Sequence, residues 1–308
     1  MAKIAVDLPG LRLKNPLLPA SGTFGFGDGP IATQVPFAEL SGIVLKTCTL
    51  DSRRGNPQPQ IYQLPDGCLN SVGLTNPEVA AVIAQHLKPL RRKYPALPLI
   101  ASVGGSSLAE YQAVAKQLSD SGCVDALELN ISCPNVAAGG LHFGTDPEAV
   151  YQLTRAVKAV IDVPLYVKLT PNVTDIRVIA KAAASAGCDG LTLINTLQGL
   201  AIDVMRQRPR LGNNVGGLSG PAIKPIALRL VHEVHTVTTL PIIGLGGIET
   251  AEDVVAFMLA GASAVGVGSA HFHDPLILPH LAQALPQLLD QMGVADIKNL
   301  VGQLRFND

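Results

Sequence analysis

Basic residues are in no excess here: 23 Lys and Arg stand against 24 Asp and Glu, a formal net charge of −1. That argues against a nucleic-acid or anionic-membrane binder, which must neutralise phosphates. Cysteine is sparse and unpatterned. The five residues (Cys48, Cys68, Cys123, Cys133, Cys188) are odd in number and form no C-x-x-C, so a disulfide framework or a cysteine-rich zinc or iron–sulfur site is not expected. Cys123 and Cys188, each after a glycine near an expected helix end, read as small buried hydrophobes. There is no G-x-x-x-x-G-K-[ST] and no G-x-G-x-x-G, which argues against a P-loop nucleotide triphosphatase and a Rossmann dinucleotide site. The start "MAKIAVDLPG" shows no basic segment followed by an apolar signal core. The least polar long stretch, 254–270, is interrupted by Gly261, Gly266 and Gly268 and reads as a helix end, a turn and a buried strand rather than a membrane span. A cytoplasmic protein is expected.

What the sequence has in quantity is apolar material, 47% of 308 residues, enough for an extensive core and for a surface that a second subunit covers. It comes in recurring runs: "NPLLPASG" (15–22), "GIVLKT" (42–47), "LPLIASVGG" (97–105), "VDALELNIS" (124–132), "VPLYVKLTP" (163–171), "CDGLTLINT" (188–196), "LPIIGLGG" (240–247) and "ASAVGVGSA" (262–270). Most are continuous rather than alternating, as in strands buried on both faces of a parallel sheet. Amphipathic helical patterns occupy 77–92, 107–121, 146–160, 175–186, 221–236 and 251–260, several after a cap-like residue as in "TDPE" and "TAED". The alternation predicts an α/β protein, a (β/α)8 TIM barrel forming a single domain over 1–308, with an open doubly wound sheet as the competing topology. Polar or glycine residues close the runs in order: Ser21, Lys46, Ser102, Asn130, Lys168, Asn195, Gly246 and Gly268. The C-terminal ends of strands are where barrels carry chemistry. Two long connections, 50–76 and 197–220, lack a long helical pattern and are expected to extend over the barrel mouth as walls or lids.

The last two runs lead into "GLGGIETAEDV" and "GVGSA". Glycines there let backbone N–H groups approach an anion at a helix start, and the pair of loops suggests a phosphate site; tight strand-end packing is the plainer reading of either alone. Lys46 and Lys168 end apolar strands, and a buried lysine without a partner is costly, so both are expected to face the mouth. There they could form a Schiff base or neutralise charge developing on an electron-rich ring. Asn70, Asn130, Asn135 and Asn195 offer a neutral set of donors and acceptors suited to ring amides. In "ELNISCPNVAAGG" (128–140) a single thiol, Cys133, stands between Asn130 and Asn135. By itself it could be structural, a ligand, a nucleophile or a base. His232 and His235 share a helix face but no third ligand accompanies them, so a solvated face is expected and no metal site.

Taken together the segments resemble the dihydroorotate dehydrogenase family of flavin enzymes, along nearly the whole chain. The resemblance is carried by "NPLLPASGTFGFG", "KTCTLDSRRGNPQPQ", "NSVGLTNP", "ELNISCPNV", "YVKLTPNVTDI", "GGLSGPAIKP" and "PIIGLGGI", in collinear order. Cysteine in "NISCPN" and the lack of an N-terminal membrane segment resemble the class 1 enzymes. "ASGTFGFG", "GGLHFGTDPE" and "GGLSGPAIKP" look most like the class 1B catalytic subunit. The resemblance implies FMN at the barrel mouth, its phosphate at Gly246, Gly247, Gly268 and Ser269, with Ser21, Lys46, Thr47, Ser102, Asn130, Lys168, Ile194 and Gly220 completing the site. Dihydroorotate would be held by Lys46, Asn70, Ser71, Val72, Gly73, Leu74, Asn130, Asn135, Asn195 and Thr196. Cys133 would be the base that takes the C5 proton while hydride leaves C6 for the flavin. Class 1B likeness further implies a homodimer joined by a subunit carrying FAD and a [2Fe–2S] cluster, a heterotetramer passing electrons to NAD. A stand-alone class 1A type enzyme using fumarate is the alternative. Other readings are a reductase for another pyrimidine and a non-catalytic flavin-binding barrel. Two positions depart from the family's habit: Gln60 in "PQPQ", often basic in relatives, and Ser269 in "GVGSAHF", where threonine is more usual.

Overall fold

The computed structural model describes residues 1–131 and 143–307. Eight parallel strands form one sheet: β1 (Leu17–Pro19), β2 (Ile43–Val44), β3 (Leu99–Val103), β4 (Ala126–Asn130), β5 (Leu165–Lys168), β6 (Gly190–Leu193), β7 (Ile242–Leu245) and β8 (Ala264–Val267). Their order in space is β1-β8-β7-β6-β5-β4-β3-β2: from β2 to β8 each strand lies beside its sequence neighbour, and β8 lies beside β1. The circuit closes where the chain after β1 meets the chain after β2: Ser21 Oγ donates to Leu45 O at 2.9 Å, and Lys46 N donates to Gly25 O at 2.8 Å. This is the expected (β/α)8 barrel rather than an open doubly wound sheet. All eight strands are buried along their whole length, which is why their sequences are continuous apolar runs.

Seven helices accompany them among the described residues: α1 (79–93, with a π-turn over Val82–Leu87), α2 (Leu108–Asp120), α3 (Pro147–Lys158), α4 (Ile176–Ser185), α5 (Lys224–His235), α6 (Ala251–Ala260) and α7 (Ile277–Gln291). Between β1 and β2 there are only 3-10 turns, Ala32–Gln34 and Phe37–Glu39. The starts follow local chemistry. Ser107, Asp146 and Asp175 each accept a backbone N–H of the first turn, and Thr250 forms a reciprocal capping box with Asp253. α7 completes the last β/α unit, with Ile277, Leu278, Leu281, Leu285 and Leu289 buried at helical spacing.

The N-terminal end of the barrel is plugged. Tyr166 points inward on β5 and its hydroxyl donates to Pro9 O at 2.8 Å, in the turn of the Val6–Leu8/Leu11–Leu13 hairpin. Gly190, level with it on β6, has no side chain because a Cβ there would lie 2.4 Å from the Tyr166 ring. The two long connections do not cover the mouth as separate loops. They pair into one antiparallel sheet in the order Leu197–Gly199, Gly216–Ser219, Gly67–Asn70, Ile61–Leu64. A further hairpin, Ile202–Asp203 with Arg208–Pro209, projects from the second connection.

One expectation is corrected. His232 and His235 are half-buried rather than on a solvated face. The Phe306 ring stands edge-on to His232, with ring centres 5.1 Å apart, and a Cβ on Gly302 would lie 2.2 Å from His235 Nε2, so the C-terminal segment packs over α5.

Candidate active site

The carboxyl ends of the strands open into a cavity of about 920 Å3, one wall of which is the four-stranded sheet. Strand ends deliver its lining. Ser21 follows β1, Lys46 and Thr47 follow β2, Asn130 and Lys168 close β4 and β5, and Ile194, Asn195 and Thr196 follow β6. Gly246 and Gly247 follow β7, Gly268 and Ser269 follow β8, and Gly220 precedes α5. The sheet side contributes Asn70, Ser71, Val72, Gly73 and Leu74. Both lysines face the cavity, as the cost of burying them elsewhere requires. Cys133 and Asn135 lie outside the described residues.

Ser102 is the exception. It is fully buried and does not reach the cavity; its hydroxyl lies 2.8 Å from Thr47 Oγ1, which in turn accepts from Asn130 Nδ2 at 3.2 Å. Its contact is therefore with Thr47, from behind. Asn76, near Asn70 in the chain, is structural: its Oδ1 accepts from Thr49 N at 3.2 Å and from Glu78 N at 3.0 Å. Gln60 closes its own loop by donating to Asn56 O at 2.7 Å, so a neutral side chain serves there.

Several lining groups escaped the sequence reading. Asn172, in the loop after β5, donates to Thr196 O at 3.0 Å and accepts from Gln198 N at 2.9 Å, tying that loop to the sheet over the mouth. Asn56 and Asn213 each donate to Ser71 Oγ at the rim, at 2.9 and 3.0 Å. Beneath the lining, Glu128 inside β4 lies 3.4 Å from Lys168 Nζ. A lone charge within the apolar run "ALELN" was the available signal, since an acidic residue is rarely buried without a partner.

The donors are ammonium, hydroxyl and carboxamide groups, suited to an anionic ligand carrying ring amides. The glycine loops are shaped for close approach. Gly247 has φ +73°, and a Cβ on it would lie 2.8 Å from Gly220 O. At Gly268 a Cβ would meet only Ala20 Cβ, at 3.8 Å, so a side chain there would enter open cavity space. Asp253 braces the loop after β7, its Oδ2 accepting from Glu249 N and Thr250 N at 3.0 and 3.1 Å while Lys224 holds its Oδ1 at 2.6 Å. Two thiols are set apart from this chemistry: burial pushes Cys48 and Cys188 up to about 12, so both stay protonated near neutrality.

Fold and mouth together define a β/α-barrel protein with a lysine-bearing ligand cavity at the carboxyl ends of its strands. The chain belongs to the dihydroorotate dehydrogenase family, whose model (Dihydroorotate dehydrogenase) matches residues 3–289. A dihydroorotate dehydrogenase A (fumarate) of Lactobacillus helveticus (strain DPC 4571) is 57% identical over 307 residues, covering 100% of both chains. A dihydroorotate dehydrogenase B (NAD(+)), catalytic subunit, of Anoxybacillus flavithermus (strain DSM 21510 / WK1) is 53% identical over 303 residues, 98% of this chain and 96% of that one. The crystal structure of DHODH from Eimeria tenella in complex with ferulenol superposes with a TM-score of 0.83 at 23% identity, over 98% of this chain and 88% of the other, a likeness of fold. No helix among the described residues is long and apolar enough to cross a membrane, and they hold no cluster of three potential metal ligands.

Proposed function

We propose that this chain is a single FMN-binding barrel domain that oxidises (S)-dihydroorotate to orotate in pyrimidine biosynthesis. The observation that carries the proposal is convergence. Residues assigned from family motifs scattered between Ser21 and Ser269 line one cavity at the barrel mouth. The residues present fit FMN: a glycine cradle with open space at Gly268, hydroxyl groups at Ser21, Thr47 and Ser269, and two lysines.

Bound FMN supplies a two-electron acceptor for the hydride leaving C6 of the substrate. Gly246, Gly247, Gly268 and Ser269 would hold its phosphate, and Ser21, Lys46, Thr47, Asn130, Lys168, Ile194 and Gly220 would surround the rest, with Ser102 steadying Thr47. The Lys168 ammonium would stabilise the negative charge that a bound flavin gains on reduction. Lys46, Asn130, Asn135, Asn195, Thr196 and the segment from Asn70 to Leu74 hold and orient dihydroorotate. Cys133 takes the C5 proton. A free thiol has a pKa of about 8.5, so the thiol is activated by its surroundings or the rate rises toward alkaline pH.

Two acceptors have support. Fumarate, taken directly by a stand-alone homodimer, is favoured by fumarate-named relatives that match at 57% along the full chain. NAD, reached through a second subunit carrying FAD and a [2Fe–2S] cluster in a heterotetramer, is favoured by the motifs noted above and by NAD-named catalytic subunits at 50–53% identity. An anaerobic visible spectrum of the purified chain, before and after L-dihydroorotate, tests the substrate: a flavin band near ~450 nm should bleach. Reoxidation by fumarate alone selects the stand-alone enzyme, and reoxidation only with NAD and the partner subunit selects the relay. A yellow protein that does not bleach sinks the assignment.

A further inference from the structure

Glu128 has no part in the chemistry above, and its position is unusual for a carboxylate. It is 2% exposed, inside β4, level with Ser102 on β3 and Tyr166 on β5. Residues two apart on a strand share a face. Asn130 lines the cavity, so Glu128 points into the same interior, one layer deeper. Barrel interiors at that depth are ordinarily filled by branched aliphatic side chains. Its Oε1 lies 3.4 Å from Lys168 Nζ, with the two side chains 3% and 8% exposed. Stability does not account for such a pair: taking both charges out of water costs several kcal/mol per ion, and apolar replacements are often as stable or more so.

We propose that Glu128 is a positioning residue: it anchors the Lys168 ammonium at the cavity floor and offsets its charge, setting how strongly the floor favours an electron-rich ring above it. The inference rests on the FMN reading of the cavity. A lone ammonium in an interior of low dielectric favours the negatively charged, reduced form of a ring beside it. A carboxylate against that ammonium turns a charge into a dipole, whose field falls off faster with distance. Removing the carboxylate's charge while keeping its shape therefore tilts the floor toward the reduced cofactor, and removing the ammonium tilts it the other way.

The experiment is a spectroelectrochemical titration of FMN-loaded wild type, Glu128→Gln and Lys168→Gln. Glu128→Gln is expected to favour reduced over oxidised flavin about tenfold more than wild type, ~30 mV upward for a two-electron couple. Lys168→Gln is expected to move downward, and Glu128→Asp to lie between wild type and Glu128→Gln. A folded Glu128→Gln protein with an unchanged or lower potential overturns the inference, because a merely structural role would alter stability and not potential. If wild type retains no FMN, the cofactor reading has failed, and the anchoring is then read from the ligand-free chain by urea denaturation. Each single variant should lose more than tenfold in folding constant and the double variant less than the sum of the two; strictly additive losses would overturn it there.

Discussion

A thiol near its ordinary pKa is mostly protonated at neutral pH, so a cysteine base works only where its surroundings help it. The buried Cys48 and Cys188, held at about 12, illustrate the opposite environment. Replacing Cys133 by alanine is expected to leave the flavin bound and lower turnover by roughly 10²-fold or more, with serine retaining a weak rate. Stopped-flow reduction by dihydroorotate checks this, and full activity in the alanine variant would remove Cys133 from the mechanism. His271 makes a different residue-scale case. It is fully buried, its Nδ1 lies 3.0 Å from Gly268 O, and the Phe24 ring stands edge-on to it with ring centres 4.9 Å apart. Burial lowers its pKa below the ordinary 6.5 despite opposing hydrogen bonds to the backbone. Below about pH 6.5 the unfolded chain takes up a proton that the folded chain resists. The associated stability is therefore complete above that pH and is lost as pH falls toward the folded value. Urea denaturation from pH 7 to pH 5 should show a smaller loss in His271→Gln than in wild type; equal losses would show that His271 does not contribute.

At the scale of elements, register is set at the closed end of the barrel by two aspartates in equivalent places. Asp125, before β4, accepts from Leu99 N of β3 at 2.7 Å and is gripped by Arg91 of α1. Asp189, before β6, accepts from Leu165 N of β5 at 2.7 Å and is gripped by Lys158 of α3. Each carboxylate ties a strand to its neighbour and to a helix. Asp189→Ala should cost about 1–3 kcal/mol in urea denaturation, mainly through the backbone donor it leaves unpaired. The flavin spectrum should not change, because the cavity lies at the other end; a lost flavin with unaltered stability would contradict this division. The same elements show what was legible. Strands could be read because both faces are covered and the runs are continuous. The sheet over the mouth could not: Gly216–Ser219 pairs with Gly67–Asn70 from far away in the chain, and the glycine-rich "GGLS" has little strand propensity of its own. α7 lay beyond the last strand, outside the alternation that revealed the other helices.

For the whole molecule, composition implied a surface for a second subunit, and the hairpin that projects from the second connection offers a candidate. Val204 and Met205 at its tip are 75% and 90% exposed, large values for apolar side chains. Contacts within the hairpin brace the tip: Asp203 accepts from Met205 N and Arg206 N at 3.1 Å each and pairs with Arg210 at 2.8 Å. We expect sedimentation to show a homodimer in wild type and a shift toward monomer when Val204 and Met205 are both changed to aspartate. A variant that stays dimeric would move the interface elsewhere; a monomeric wild type would refute the expectation itself.

The eight buried strands, the capped helix starts, the glycine loops and the lysines and asparagines at strand ends were determined by the sequence alone, because each is a local pattern of period, cap or turn. Tertiary structure decided what those patterns could not encode locally. It turned two long connections into one sheet, set Ser102 behind Thr47, drew Asn172 to Thr196, and placed Glu128 against Lys168. Those are contacts between segments distant in the chain, and they exist only once closure of the barrel brings the strand ends around a common cavity.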